Sequence, residues 1–99
     1  MKIEVELIEQ LCSDEFCVKR ELLHQKDRRD HTFVCRAVIW LLLRQKLALK
    51  DVHIAELYGF KRTNVLKAIN SIQSRIETDK RVRDTYEVVT MELKKLTEQ

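Results

Sequence analysis

The sequence predicts an all-α protein, a compact bundle of about six helices that forms a single domain over residues 1–99. One glycine and no proline occur in 99 residues, so the residues that most often interrupt helices are nearly absent. Hydrophobic residues make up 44% of the chain and charged residues 35%, a balance typical of globular proteins. A chain of this length can close one hydrophobic core but has no material for a second.

The N-terminal third predicts two helical pieces and a loop. The apolar stripe of the first helix consists of Ile3, Leu7, Ile8 and Leu11. Its charged face, expected towards water, consists of Glu4, Glu6 and Glu9. Ser13 and Asp14 are capping residue types and are expected to end this helix. A short second helix is predicted around Phe16, Val18, Leu22 and Leu23. The charged segment 25–30 is predicted to be a loop.

The middle of the chain predicts a buried helix. Thr32 is the expected N-cap, and residues 33–43 are apolar on nearly every side of the helix. Arg36 is the only charged residue in this run and is expected to emerge from the core in the first turns. Trp40 is predicted to be a core aromatic residue, as is Tyr58 further along the chain.

Three more helices follow. Residues 51–58 predict a short helix that Gly59 ends, with Ile54, Ala55 and Leu57 facing inwards. A longer helix is expected to begin near Lys61. Its inner stripe is Val65, Ile69, Ile72 and Ile76, with Thr63, Lys67, Asn70 and Ser74 on the opposite side. The apolar residues of the last helix are Val82, Tyr86, Val89, Leu93 and Leu96.

Several classes of protein are not favoured by this sequence. It contains neither a signal-peptide pattern nor an apolar run long enough to cross a membrane, so a cytoplasmic protein is expected. The three cysteines, Cys12, Cys17 and Cys35, are expected to be free buried thiols. Their spacing relative to the histidines matches no metal site, and no arrangement of catalytic side chains is recognisable. We therefore expect neither a metal, a cofactor nor an enzymatic activity.

Positive charge is concentrated in the middle of the chain. Residues 36–83 hold eleven Lys and Arg against four Asp and Glu, a net charge of +7, whereas residues 1–35 and 84–99 each carry −2. A basic segment of this kind favours a polyanionic partner, because neutralised phosphates release condensed counterions. A solvated basic face that has no partner is an equally good explanation of charge alone.

Residues 54–65 match the spacing of a helix-turn-helix, which we predict over about residues 50–76. This motif needs a small residue in its first helix, a residue that tolerates positive φ four places later, and an apolar residue six beyond that. Ala55, Gly59 and Val65 meet these requirements. The residues that follow the glycine suit contact with DNA: Lys61, Arg62, Thr63, Asn64 and Lys67. Arg and Lys pair with guanine in the major groove, and Asn pairs with adenine.

Four segments outside the second helix of this motif also follow a known pattern: Glu21-Leu22-Leu23, the basic loop Lys26-Asp27-Arg28-Arg29, Arg36 before Ala37-Val38-Ile39-Trp40-Leu41, and Ile54 to Gly59. With them the chain resembles, over nearly its whole length, the C-terminal DNA-binding domain of the DnaA family, the bacterial chromosomal replication initiators. The family signature Asp-His-Thr-Thr-Val-Leu-His-Ala corresponds here to residues 61–68, where Thr63, Val65, Leu66 and Ala68 agree. Lys61 and Arg62 replace Asp and His, and the turn is one residue shorter.

The resemblance implies a Trp-repressor-like helix-turn-helix fold and a set of DNA contacts. Arg36 would enter the minor groove, Arg28 and Arg29 would touch the backbone, and residues 61–64 would make base and phosphate contacts in the major groove. Lys50, at the start of the motif, and Lys67 complete the predicted DNA-binding residues. The family's ATPase module is missing, since one glycine excludes a phosphate-binding loop. We expect a free-standing relative rather than a fragment.

The predicted function is therefore binding of double-stranded DNA in replication initiation or transcription regulation, on a bacterial chromosome or a mobile element. The protein would then be associated with the nucleoid. The alternative is a helical adaptor that binds another protein and has kept the fold without DNA binding. The preferred DNA sequence and the oligomeric state do not follow from these patterns.

Overall fold

Five α-helices and one 3₁₀ helix account for most of residues 4–26 and 29–97, the part of the chain that this computed structural model describes. In chain order they are α1 (Val5–Phe16), the 3₁₀ helix (Arg20–His24), α2 (Asp30–Leu47), α3 (Asp51–Tyr58), α4 (Arg62–Thr78) and α5 (Lys80–Thr97). No strand occurs within these two ranges, and the all-α prediction is confirmed. The count of about six is not, because the second helical piece is only a five-residue 3₁₀ helix.

The central helix is α2, as its sequence predicts. All ten residues from Val34 to Leu43 are buried. A helix that is apolar on every side needs neighbours on every side, and α2 packs against α1, the 3₁₀ helix, α3 and α4, while α5 covers α1 and α4. Within the described ranges, no helix is both long and apolar enough to cross a membrane.

Two predicted helix ends are wrong. Helix α1 continues past Ser13 and Asp14 to Phe16 and ends at Cys17, which has a left-handed backbone (φ 56°). Ser and Asp cap the beginning of a helix, where they accept from free amides, and they do not stop one that is already formed. Helix α2 begins at Asp30, and Thr32 is buried inside it. Asp30 is favoured there because a carboxylate in the first turn complements the helix dipole.

Two predicted core positions are also wrong. Leu57 is 51% exposed, and Tyr58 takes the inner position instead. Ile54, Ala55 and Tyr58 form the buried face of α3, and Leu57 lies roughly 110° around the helix from its centre. Cys17 is exposed, whereas Cys12 and Cys35 are buried as expected. Burial raises the pKa of the Cys12 thiol well above its usual value and that of Cys35 to about 12, so both stay protonated at neutral pH.

Ala48 ends α2 in a left-handed conformation (φ 54°), with its amide donating to the carbonyl of Leu43. In this conformation a residue with a Cβ destabilises the folded state by about 1–2 kcal/mol. Glycine has no such steric penalty, and its larger loss of chain entropy on folding costs roughly 0.5–1 kcal/mol. We expect Ala48→Gly to raise the free energy of unfolding by about 0.5–1 kcal/mol in urea denaturation. Ala68→Gly, inside α4, should lower it by about 1 kcal/mol. A loss of stability in both variants would contradict this explanation of the α2 end.

Candidate nucleic-acid interface

A three-residue turn joins α3 to α4. Gly59 has φ 70° and ψ 33°, and its amide donates to the carbonyl of Ala55. The amide of Phe60 donates to the same carbonyl at 3.0 Å. This pair of bonds closes the end of α3 and turns the chain towards α4, which is why a glycine is needed at this position. Val65 is buried one turn into α4, as its predicted place in the spacing requires.

Aromatic and cationic side chains hold this turn against α2. The ring of Phe60 packs edge-on against Trp40, with ring centroids 5.2 Å apart. The Arg36 guanidinium lies over Phe60, 4.7 Å from its ring centroid, and 5.6 Å from that of Trp40. Arg36 Nη1 also donates to the carbonyl of Gln25 at 3.1 Å. One side chain thus joins the central helix, the turn and the loop that follows the 3₁₀ helix.

The first turns of α4 face solvent. Lys61, the N-cap, and the next three residues, Arg62, Thr63 and Asn64, are all exposed, and so is Lys67 one turn later. Residues Val65, Ala68, Ile69 and Ile72 form the buried side of this helix. Thr63 and Lys67 are exposed as predicted for the side opposite the apolar stripe, and Lys61, Arg62 and Asn64 precede Val65, the first buried residue of the helix.

The start of α4 differs in charge from those of α1, α2 and α3, each of which has an acidic residue in its first turn. Helix α4 has none there, and like those three helices it has no side-chain cap. By contrast, Asp79 caps α5, accepting from the amides of Arg81 at 3.0 Å and Val82 at 3.4 Å. Cations beside the positive end of a helix dipole are unfavourable unless an anion joins them. The exposed amides and the lysine and arginine side chains at this end therefore form a surface that suits an anion.

The cations at this end of α4 have no acidic partner in the part of the chain that the structure describes. Among residues 4–26 and 29–97, no carboxylate oxygen lies within 4.0 Å of the charged nitrogens of Lys61, Arg62 or Lys67. At the other end of α4, Arg75 pairs with Asp30 at 2.9 Å and with Asp79 at 3.5 Å. Its hydrogen bonds to Asp30 raise the pKa of Arg75. Carboxylates of the described residues thus neutralise positive charge at one end of the helix and not at the other.

Two open grooves flank the start of α4. One is lined by Arg44, Leu49, Lys50, Asp51, Val52 and Arg62, and has a volume of about 570 Å³. The other, of about 720 Å³, is lined by Lys26, Asp30, Phe33, Arg36, Phe60, Lys61, Thr63 and Asn64. The predicted residue Lys50 is thereby brought beside Arg62. Arg44 and Lys26 were absent from the predicted site, because only the packing of separate helices brings them to these grooves.

The remaining predicted residues are Arg28, Arg29 and Arg36, and of these Arg36 lines the second groove. Arg29 is exposed at the N-cap of α2, and Arg28 lies outside the described residues, as does Ile3. Arg36 is only 6% exposed, so it does not emerge from the core as its sequence position predicted. It is retained inside by Phe60, Trp40 and the Gln25 carbonyl. The minor-groove contact implied for it would require the guanidinium to leave these neighbours.

Glu9 is a second charged residue whose environment the sequence predicted wrongly. Its side chain is 8% exposed, although the helical pattern placed it towards water. Its carboxylate is bonded by Arg20 and Tyr58, which come from other elements. In the described part of the chain, no group of three or more His, Cys, Asp or Glu side chains is arranged to hold a metal.

Comparison with known proteins gives no family for this chain. No protein-family model matches the sequence, and no curated protein matches it.

Proposed function

We propose that this protein binds double-stranded DNA through a helix-turn-helix formed by α3, the turn at Gly59 and α4. The observation that carries the proposal is the start of α4, where Lys61, Arg62 and Lys67 are exposed and have no acidic partner among the described residues. Phosphate is the partner that such a surface suits, because it gains both from the side-chain charges and from the free amides of the helix end.

In the proposed complex the first turns of α4 enter the major groove. Arg62 and Asn64 have the side chains that pair with base edges, and Lys61 and Lys67 neutralise phosphates. The groove lined by Arg44, Lys50 and Arg62 then receives the backbone on one side of α4. Asp51 partly offsets this groove's charge, since its carboxylate lies 4.0 Å from Arg44.

The resemblance to the DnaA C-terminal domain supports a role in replication initiation or in transcription regulation. The fold of that domain, a Trp-repressor-like helix-turn-helix, is part of the proposal. Lys61 and Arg62 stand where the family has Asp and His, so we propose a preferred DNA sequence that differs from the family's usual initiator box. The Arg62 side chain only donates hydrogen bonds, and this favours guanine over cytosine at the position that it contacts.

A protein-binding adaptor is the second candidate, and the exposed apolar residues favour it. Val52 and Leu57 on α3 and Val88 and Met91 on α5 are all more than two-fifths exposed. Single exposed apolar residues are common on soluble proteins, however, and these four lie on two helices. The open cations of α4 have no role in this alternative, and we therefore favour DNA.

Fluorescence anisotropy with a labelled duplex tests the proposal. We expect binding at about 50 mM salt, with a log–log slope against salt near −0.9 for each phosphate neutralised. A pool of random duplexes supplies the preferred sequence by selection. The absence of duplex binding at about 50 mM salt, where phosphate contacts are strongest, would contradict the proposal and favour the adaptor.

Two substitutions separate base contact from phosphate contact. Arg62→Ala should weaken binding to the preferred duplex by about 5–150-fold and to random duplex by much less. Lys67→Ala should weaken both similarly and reduce the salt slope by about 0.9. Lys80→Ala is the matched control, because it removes one positive charge at the start of α5, beyond the far end of α4, where the lysine already pairs with Asp84 at 2.8 Å. If Arg62→Ala and Lys67→Ala both lose affinity equally on every sequence, Arg62 does not contact a base.

A further inference from the structure

A buried carboxylate connects α1, the 3₁₀ helix and α3. Glu9 Oε1 accepts a hydrogen bond from Arg20 Nη2 at 2.9 Å. Glu9 Oε2 accepts one from the Tyr58 hydroxyl and lies 3.6 Å from His24 Nε2. We call these four residues the Glu9 cluster. They come from three separate elements, so the cluster fixes how those elements meet.

The chemistry of the cluster keeps its hydrogen bonds in place. Burial and the bond to Glu9 raise the pKa of Tyr58 far above its usual value, so its hydroxyl stays protonated and donates. The same carboxylate raises the pKa of Arg20. Taking a carboxylate out of water is costly unless such partners surround it. If only packing mattered at this position, an apolar residue would stabilise the fold more than a buried glutamate does.

Two residues of the Glu9 cluster adjoin segments that border the start of α4: Tyr58 adjoins the α3–α4 turn, and His24 adjoins the loop at Gln25 and Lys26. Tyr58 directly precedes Gly59, and the His24 ring stacks on Tyr58 with centroids 4.5 Å apart and planes 12° from parallel. The next residue, Gln25, accepts the Arg36 bond at 3.1 Å. Lys26 then lines the same groove as Lys61. The loop after the 3₁₀ helix is thus attached to both sides of the turn that begins α4.

We propose that Glu9 is a positioning residue for the DNA-binding surface, which holds the loop at residues 24–26 against the α3–α4 turn so that Lys26 and α4 engage one duplex together. This inference rests on the DNA-binding function proposed above. Glu9 itself touches no DNA. Its effect passes through Tyr58 and His24 to the loop, and the phosphate contact that it secures is that of Lys26.

Glu9→Gln tests the inference, because a positioning role and a simple effect of net charge predict opposite changes in duplex affinity. The substitution keeps an acceptor for Tyr58 and removes the negative charge that pairs with Arg20 and lies beside the His24 ring. Removing a negative charge strengthens DNA binding if only net charge matters. A positioning role predicts the reverse, a loss of about tenfold in duplex affinity. The slope of log affinity against log salt should also become shallower by about 0.9, because the phosphate contact of Lys26 is lost. Glu15→Gln, an exposed residue of the same helix, is the matched control and should bind at least as tightly as the unmodified protein.

A DNA-free measurement accompanies the titration. Trypsin cleavage after Lys26 should be faster in Glu9→Gln than in Glu15→Gln, at a temperature where circular dichroism shows both folded. Should Glu9→Gln not fold, Tyr58→Phe serves instead, because it removes only the hydroxyl donor and changes no charge. We expect a smaller change in the same direction from it.

The outcomes separate this inference from the proposed function. Salt-dependent binding by the unmodified protein, with Glu9→Gln equal to Glu15→Gln, overturns the positioning role and leaves DNA binding intact. Weaker binding without faster cleavage at Lys26 also overturns it, since the effect would not pass through the loop. A failure of the unmodified protein to bind any duplex overturns both.

Discussion

Replacing Trp40 with alanine is expected to lower the free energy of unfolding by about 3–5 kcal/mol, the usual cost of truncating a large buried aromatic residue. Trp40 is 2% exposed and lies near the middle of α2. Its ring packs edge-on against Tyr58, with centroids 5.7 Å apart, and against Phe60. The cavity would therefore separate the central helix from both ends of the α3–α4 turn. Urea denaturation followed by far-ultraviolet circular dichroism measures the loss, because the variant contains no tryptophan to report by fluorescence.

Trp40→Phe is the control that separates the cavity from the indole N–H. Trp40 Nε1 is buried and has no hydrogen-bond partner within the described ranges. An unsatisfied buried donor costs about 1–3 kcal/mol, and phenylalanine removes it while losing part of the ring volume. We expect Trp40→Phe to cost less than about 2 kcal/mol as a result. A cost for Trp40→Ala no larger than that of Trp40→Phe would contradict the tight packing described around this ring.

Helix spans and inner faces followed from the sequence where one apolar face decides the packing. The predicted span of α3 is the observed one, Asp51–Tyr58, and the buried side of α4 contains Val65, Ile69 and Ile72 as predicted. The end of α3 follows from Gly59, and the buried side of α4 follows from the spacing of its apolar residues along the chain. The buried face of α1 was harder, because it consists of Ile8, Glu9, Cys12 and Ser13 rather than an apolar stripe. Its composition makes sense only with partners that are distant in sequence.

The same distinction applies to the candidate site. The exposure of Lys67 follows from its place opposite the apolar side of α4, and that of Lys61 and Arg62 from their position ahead of Val65, the first buried residue of the helix. Sequence position was sufficient to predict both. Arg36 and Glu9 could not be predicted in this way. Each is charged and would face water by default, yet each is buried against residues from another element, Phe60 for Arg36 and Tyr58 for Glu9. Such positions depend on how helices assemble, and helical periodicity carries no information about that.

Gly59→Val is expected to impair both stability and DNA binding. The glycine has φ 70°, and a Cβ added to it would meet no atom within 4 Å. The cost therefore arises from the backbone alone, about 2 kcal/mol for a β-branched residue held in the left-handed region. The chain can relieve this strain by changing φ, which redirects α4 relative to α3 and moves Phe60 away from Trp40. Because α4 is the helix proposed to enter the major groove, duplex affinity should fall at least tenfold, by the anisotropy titration described above.

Gly59→Asn distinguishes a requirement for backbone conformation from a requirement for a small residue. Asparagine adopts the left-handed region far more readily than valine, and its Cβ would meet no atom within 4 Å at this position. We expect it to lose less than about 1 kcal/mol and to keep most of the duplex affinity. If valine and asparagine bound DNA equally well, the direction in which Gly59 sends the chain would not control the presentation of Lys61 to Asn64, and DNA recognition would have to be assigned to a different surface.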